Sequence, residues 1–364
     1  MEPRHKAIRK AGTLLRKVSL ACCWLSLPAA AQQEGADRTP ARGARTPGTF
    51  TTAEPMVHDP VMAEQGGTYY LMSTGRGIQV AESSDRKTWR VWRGVPLVTT
   101  VPAWTHDSVP GFRDHIWAPD IIRYRGRWWL NYSCSTFGKN TSAIGLLSTD
   151  SLRPLSADGT NTIRWRDEGA IVCSKGGRDN WNAIDGNFVI DDRGNPWLTF
   201  GSFWDGIQLV RLDSTMHIAR PSNQRTIARR RTGGRDNPIE APFIFRHGDY
   251  YYLFISWDYC CRGSQSTYKV AVGRSHKIDG PYLDRNGKDM AEGGGTVVLE
   301  GDKKVFEAAG HCAVYHFADR DIFICHGYSI NRGGASVLIE RPVTWTQDGW
   351  PDLSPGQTRT LASQ

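Results

Sequence analysis

Along most of the chain, short runs of apolar and aromatic residues alternate with polar ones at period two, the spacing of strands with one buried face. Residues 187–190 and 197–202 flank Asp192-Arg193-Gly194-Asn195. That turn sequence suits a tight hairpin, because Gly and Asn adopt positive φ cheaply. The grouping recurs. Aromatic-dense runs fall at 69–73, 128–133, 197–202, 250–256 and 322–328. Each is followed by a further alternating or apolar run, at 78–81, 143–148, 207–212, 269–274 and 335–340. A fourth run shows at 89–92, 163–166 and 296–299. No convincing amphipathic helix interrupts them.

Ahead of each hairpin stands a short polar motif. The five are His58-Asp59-Pro60, Trp117-Ala118-Pro119-Asp120, Ala183-Ile184-Asp185-Gly186, Ile239-Glu240-Ala241-Pro242 and Ala308-Ala309-Gly310-His311. Four antiparallel strands repeated five times, at about 60 residues per unit, predict an all-β fold, a five-bladed β-propeller. A β-sandwich rarely needs this many strands, and β-helix repeats are much shorter. Propeller blades start their innermost strands near the central axis. The five motifs, from Asp59 to His311, therefore converge.

The ends read differently. Residues 1–31 carry six basic residues, an apolar stretch at 18–27 too short to span a bilayer, and Ala29-Ala30-Ala31, which predicts a signal peptide cut after Ala31. A membrane anchor, or a lipoprotein at Cys22 or Cys23, is the alternative. Residues 32–52 read as a disordered lead-in, 53–353 as the propeller and 354–364 as a flexible tail. Removing six basic residues and Glu2 lowers the formal net charge from +8 to +3, so the basicity is largely leader. Arg229-Arg230-Arg231 is the one dense basic cluster in the body, and nothing else points to nucleic acid. Export permits disulfides among the six remaining cysteines. Cys312 and Cys325 are symmetric about a turn at Ala318-Asp319, which predicts a cross-strand disulfide; two buried free thiols are the alternative. Cys260-Cys261 can form a vicinal bridge.

Asp59, Asp185 and Glu240 stand at matching positions of their motifs. A lone acid there would most simply cap a turn. Three carboxylates pointing into one funnel raise one another's pKa. Such an arrangement is tolerated at metal sites and in glycoside hydrolysis, where one acid stays protonated and another ionised. Asp120 comes later in its motif and reads as structural. His311 adds an imidazole near the axis, compatible with a central ion or water site. The 14 Trp suit either a β-core or a sugar-binding surface. Trp117, Phe112 and Trp181 stay open between these roles.

The motifs His58-Asp59-Pro60, Asn182-Ala183-Ile184-Asp185, Ile239-Glu240-Ala241-Pro242 and Gly310-His311, in this order and spacing, resemble glycoside hydrolase family 43. Ser202-Phe203-Trp204 and Asp258-Tyr259-Cys260-Cys261-Arg262-Gly263 resemble its endo-1,5-α-L-arabinanases. The resemblance spans residues 54–352. It implies a five-bladed propeller that hydrolyses α-1,5-linked L-arabinofuranose chains with inversion. It gives Asp59 as general base, Glu240 as general acid, and Asp185 as the residue that tunes and orients the acid. It implies substrate contacts from Asp59, the loop near Ala143, Asn182, Ala183, Ile184, Asp185, Ser202, Phe203 and Trp204, and an ion, commonly calcium, close to His311. Gly186 departs from the Pro of many relatives.

The expectation is thus a secreted or periplasmic, monomeric endo-arabinanase with arabinan as its partner, no organic cofactor and no nucleic acid. An exo-acting α-L-arabinofuranosidase or β-xylosidase of the same family is the nearest alternative, decided by loops 99–114 and 258–268. A non-catalytic sugar-binding propeller is the alternative from another class.

Overall fold

A computed structural model describes residues 48–354 except positions 235 and 319. The leader expected at 1–31 and the tail after Ser354 lie outside the described residues. Five antiparallel sheets follow one another along the chain as five blades. Their innermost strands are Val61–Gln65, His115–Tyr124, Asn187–Ile190, Ile239–His247 and Phe306–Phe317. In each blade the second and third strands match the aromatic-dense and alternating runs read from sequence. In blade three, for example, Pro196–Phe200 and Ile207–Arg211 follow the hairpin, with Gly194 at φ +79° in its turn. The strand faces that meet between blades are apolar and buried, with Tyr70, Trp89, Tyr132, Phe200 and Phe254 fully enclosed. That burial of large side chains is what holds the blades together. Helix is confined to one short turn, Trp104–Ser108, and three single 3-10 turns among the described residues.

Two expectations need correction. The last five residues of the lead-in are ordered: Gly48–Thr52 forms the outermost strand of blade one, paired with Trp89–Arg93. Its Thr-rich, β-favouring sequence covers an edge that would otherwise present unpaired amides. The chain then runs beside blade five, where Val57 N–H donates to Ser336 O and Leu338 N–H to Pro55 O. It next enters the inner strand of blade one. The first and last blades are thereby joined through backbone hydrogen bonds. The fourth strand of blade two is Arg166–Ser174, beginning where the sequence pattern at 163–166 ends. Bulges at Glu168 and Ile171 carry the strand on to Ser174.

Candidate active site

One residue of each blade, at the entrance of the innermost strand, is left-handed. These are Asp59 (φ +53°), Ala118 (+42°), Asp185 (+58°), Ala241 (+52°) and His311 (+50°). In blades two, four and five the inner strand is bulged there. A bulge bends the strand and re-aims its side chains, and non-glycine residues held at positive φ concentrate at functional sites. The equivalence expected for the three acids is therefore corrected. Asp59, Asp185 and His311 are equivalent, but Glu240 precedes its left-handed residue by one position and Asp120 follows its own by two.

The amide of each left-handed residue is tied to the neighbouring blade by a side chain. Ala118 N–H donates to Thr74 Oγ1 (2.8 Å), Asp185 N–H to Ser133 Oγ (3.0 Å) and His311 N–H to Ser256 Oγ (2.8 Å). Ala241 N–H donates to Asp185 Oδ2 (3.1 Å), and Asp59 N–H to His326 Nδ1 (3.1 Å). Where blade three would use Ser202 for this purpose, its hydroxyl donates instead to Glu240 Oε2 at 2.8 Å. Blade five substitutes a histidine for the hydroxyl.

That substitution fixes a set of tautomers around Asp59. His326 Nδ1 accepts, so its Nε2 carries the proton and points at Tyr328 Oη, 3.3 Å away. Tyr328 Oη lies 3.1 Å from His58 Nε2, and His58 Nδ1 lies 2.9 Å from Asp59 Oδ1. The Tyr328 hydroxyl therefore donates to His58, and His58 donates to the carboxylate. The circuit runs from the amide of Asp59 back to its own side chain. Thr74 Oγ1 donates to Asp59 Oδ2 at 2.5 Å, and His311 Nδ1 sits 3.0 Å from Oδ1. Burial pushes the Asp59 pKa up, but His58 and His311 outweigh it and hold the carboxyl well below the usual range. His326 is held neutral by burial, helped by His58.

Glu240 is the opposite case. Burial raises its pKa, hydrogen bonds from Ser202 and Tyr268 and the charge of His311 offset part of this, and the Asp59 charge adds to it. Burial also drives Asp185 up to about 8, with the charge of His311 offsetting part of this and those of Glu240 and Asp59 adding to it. For His311, burial lowers the pKa, but Asp59, Asp185 and Glu240 raise it to about 9, so the ring is an imidazolium at neutral pH. Three carboxyl groups thus favour the charged form of the imidazole expected near the axis.

Other expected residues divide into two groups. Phe203 (φ +51°) and Trp204 (φ +36°) are both left-handed, with Trp204 37% exposed and the Phe203 ring 6.0 Å from that of Tyr259. They form an aromatic face beside the acids. Ala143, Asn182, Ala183 and Ile184 are buried. Ala143 lies within the strand Ser142–Thr149 and not in a loop. Asn182 Oδ1 accepts from Ser142 Oγ, and Ala183 N–H donates to Ser174 Oγ. Asp120 is buried and accepts from Asn187 Nδ2 and Phe188 N–H across to blade three, a structural position. A Cβ on Gly186 would stand 2.6 Å from Asn131 Oδ1, which accounts for glycine in place of proline.

The cysteines reverse one expectation. Cys312 and Cys325 are buried free thiols. The ladder that would set them opposite each other breaks at this point, because His311 and Cys312 form the bulge. Cys260 and Cys261 are bridged. Arg229, Arg230 and Arg231 pair with Asp205, Asp258 and Glu292, a structural use of the basic run.

Calcium takes six to eight oxygen ligands. The described residues group His58, Asp59 and His326, or His58 with Cys260 and Cys261, as possible metal ligands. Neither set includes His311 and neither is oxygen-rich, so the described side chains do not form a calcium cage.

A carboxyl whose pKa is depressed and a second whose pKa is raised, near one axis of a propeller and beside an aromatic face, suit the acid–base machinery of a glycoside hydrolase. The chain belongs to the glycosyl hydrolases family 43, whose family model matches residues 52–351. It is 42% identical to the extracellular exo-α-(1→5)-L-arabinofuranosidase ArbA of Cellvibrio japonicus, over 85% of this chain and 89% of that protein. It is also 42% identical to the extracellular endo-α-(1→5)-L-arabinanase 1 of Bacillus subtilis, over 81% and 87%. Among solved structures, an exo-1,5-α-L-arabinanase from a bovine ruminal metagenomic library superposes with a TM-score of 0.77 at 50% identity, covering 83% of this chain and 97% of that one. Cellvibrio cellulosa α-L-arabinanase complexed with arabinohexaose gives 0.75 at 41% identity, covering 82% and 96%.

Proposed function

We propose that this enzyme is secreted or periplasmic and hydrolyses the α-1,5 linkages of L-arabinofuranose chains with inversion, cleaving within the chain. The observation that carries this reading is the contrast between two carboxyls at one axis: Asp59 is held by Thr74, His58 and His311, which favour its charged form, while Glu240 has a serine hydroxyl on Oε2 and a pKa raised by burial. Asp59, ionised and gripped by Thr74, His58 and His311, accepts a proton from water as the oxygen attacks the anomeric carbon. Glu240, protonated, gives its proton to the departing glycosidic oxygen. Ser202 donates to Glu240 Oε2, which leaves Oε1 to carry that proton. An inverting pair needs carboxyls roughly 6.5–9.5 Å apart, to admit the water. Asp185 orients the segment that bears Glu240, by accepting from Ala241 N–H, and its own burial keeps a second proton at the site. Phe203 and Trp204 stack on arabinose rings.

The extracellular names of both curated relatives and the leader-like sequence before residue 32 support export. No helix among the described residues is long and apolar enough to cross a membrane. An ion beside His311 remains part of the proposal only as a cation that takes its shell mainly from water. No chemical step runs through it.

Release of units from chain ends is the second reading. It is favoured by the 50% identity to a structure described as an exo-enzyme. The products formed from linear arabinan over the first minutes decide between them. A ladder of mixed oligosaccharides supports internal cleavage, and a single short product from the outset supports the second reading. No release of reducing sugar from arabinan would overturn both.

A further inference from the structure

The catalytic reading leaves one cluster of ligating groups without a task. The loop after the second strand of blade four carries the bridged pair Cys260–Cys261. Cys261 is exposed and Cys260 half-buried, so the bridge is open to solvent. The Cys261 amide donates to Tyr328 Oη at 2.7 Å, and its Sγ lies 3.7 Å from His58 Nε2. One ligand atom from each of His58, Cys260 and Cys261 falls within 4.8 Å of the others. His58 Nδ1 is spent on Asp59, so Nε2 turns a lone pair toward Tyr328 and Cys261.

We propose that reduction of the Cys260–Cys261 bridge opens a site for a thiophilic divalent cation, Zn2+ or Cd2+, held by both thiolates and His58 Nε2. Two molecules of a small thiol supply two electrons and two protons and leave as their own disulfide. The Cys260–Cys261 sulfur–sulfur bond breaks and two thiols form. The cation then displaces the two thiol protons to solvent and takes one lone pair from each sulfur and one from Nε2. Water completes a tetrahedral shell. Two sulfurs and one nitrogen form a soft set that suits zinc or cadmium and not calcium. The spacing suits it as well. Zinc–sulfur and zinc–nitrogen bonds of about 2.3 and 2.0–2.1 Å at a tetrahedral angle place the two donors about 3.6 Å apart, against 3.7 Å between His58 Nε2 and Cys261 Sγ.

The consequence for activity rests on the reading of Asp59 as the base. A cation on Nε2 displaces the Tyr328 hydroxyl from His58 and draws electron density from the ring that supports Asp59. Turnover then falls by about tenfold or more, the scale at which outer-shell partners act.

The test titrates Cd2+ into the whole enzyme in two forms, oxidised, and reduced with a small thiol that is then removed under inert gas. A third arm uses reduced Cys260→Ser/Cys261→Ser protein. Thiolate-to-cadmium absorption that saturates at one equivalent in the reduced enzyme alone is the expected result. Absence of that signal, or the same signal in the double variant, where the buried cysteines would be its source, overturns the proposal. One-equivalent binding with unchanged turnover supports the metal site and overturns the part given to His58 in holding Asp59. The two failures are thus separable.

Discussion

Burial sets the raised pKa of Glu240 and Asp185, but the neighbours that hold Asp59 low can be removed singly. Thr74→Val deletes the hydroxyl that donates to Asp59 and accepts from Ala118 N–H. Such a loss costs about 1–3 kcal/mol, so kcat should fall roughly 5- to 150-fold, while Thr74→Ser restores most of it. Asp59→Ala and Glu240→Ala should each lower turnover by orders of magnitude with the fold intact by circular dichroism. A substrate with a good leaving group should rescue Glu240→Ala far better than Asp59→Ala, since only the first lacks nothing but the acid. The pH profile carries a sign. Glu240 works protonated and its pKa is raised, so kcat/KM should fall as pH climbs through that raised value. Asp59 works ionised and its pKa is depressed, so the acid limb should lie below the ordinary carboxylate range. An alkaline limb that persists in Glu240→Ala with the activated substrate would show that another group sets it. Asp59, Asp185 and Glu240 were legible in the sequence because an acid recurs in three of the repeated motifs, where a single one would read as a turn cap. His326, Tyr328, Thr74 and Tyr268 were not, because their partners are more than a blade away or across a turn. The one trace they leave is the serine or threonine that closes the second run of blades one to four.

At the level of the strand, the inner bulge is the device that matters. The left-handed residue at the head of each inner strand makes Asp59, Asp185 and His311 equivalent and sets Glu240 one residue aside, the register in which Pro60, Pro119 and Pro242 align. The bulge also explains why Cys312 and Cys325 remain thiols, since a two-for-one register has no opposed pair to bridge. Close packing around it gives a sharp prediction. A Cβ on Gly310 would lie 2.2 Å from Tyr268 Cδ1. Gly310→Ala must therefore push the Tyr268 ring aside, with a cost of about 1–3 kcal/mol in a thermal or denaturant melt. Because Tyr268 hydrogen-bonds Glu240, kcat should drop as well. An unchanged melt with unchanged kcat would mean that the ring is not held where the structure has it. Trp204→Ala, on the exposed loop, should instead raise KM more than it lowers kcat, read from initial rates on oligosaccharides.

Over the whole molecule, the repeat of hairpins was plain from sequence, because alternation, turn residues and aromatic density coincide in every unit. The closure was not. Gly48–Thr52 has too few apolar residues to announce a strand, and only the unpaired edge of Trp89–Arg93 gives it a place. A chain that begins after Thr52 should melt several degrees below one that begins at Gly48, as loss of about 1–2 kcal/mol predicts for a large domain, and should keep its activity at low temperature. In the proposed mechanism, the ring of blades brings Asp59 from the first and Glu240 from the fourth to opposite sides of one bond. The most direct check of that assignment is the anomeric configuration of the first product, followed by proton NMR before mutarotation with an α-1,5-linked arabino-oligosaccharide as substrate. Appearance of the β-anomer first is the outcome that Asp59 as base and Glu240 as acid require; appearance of the α-anomer first would contradict it.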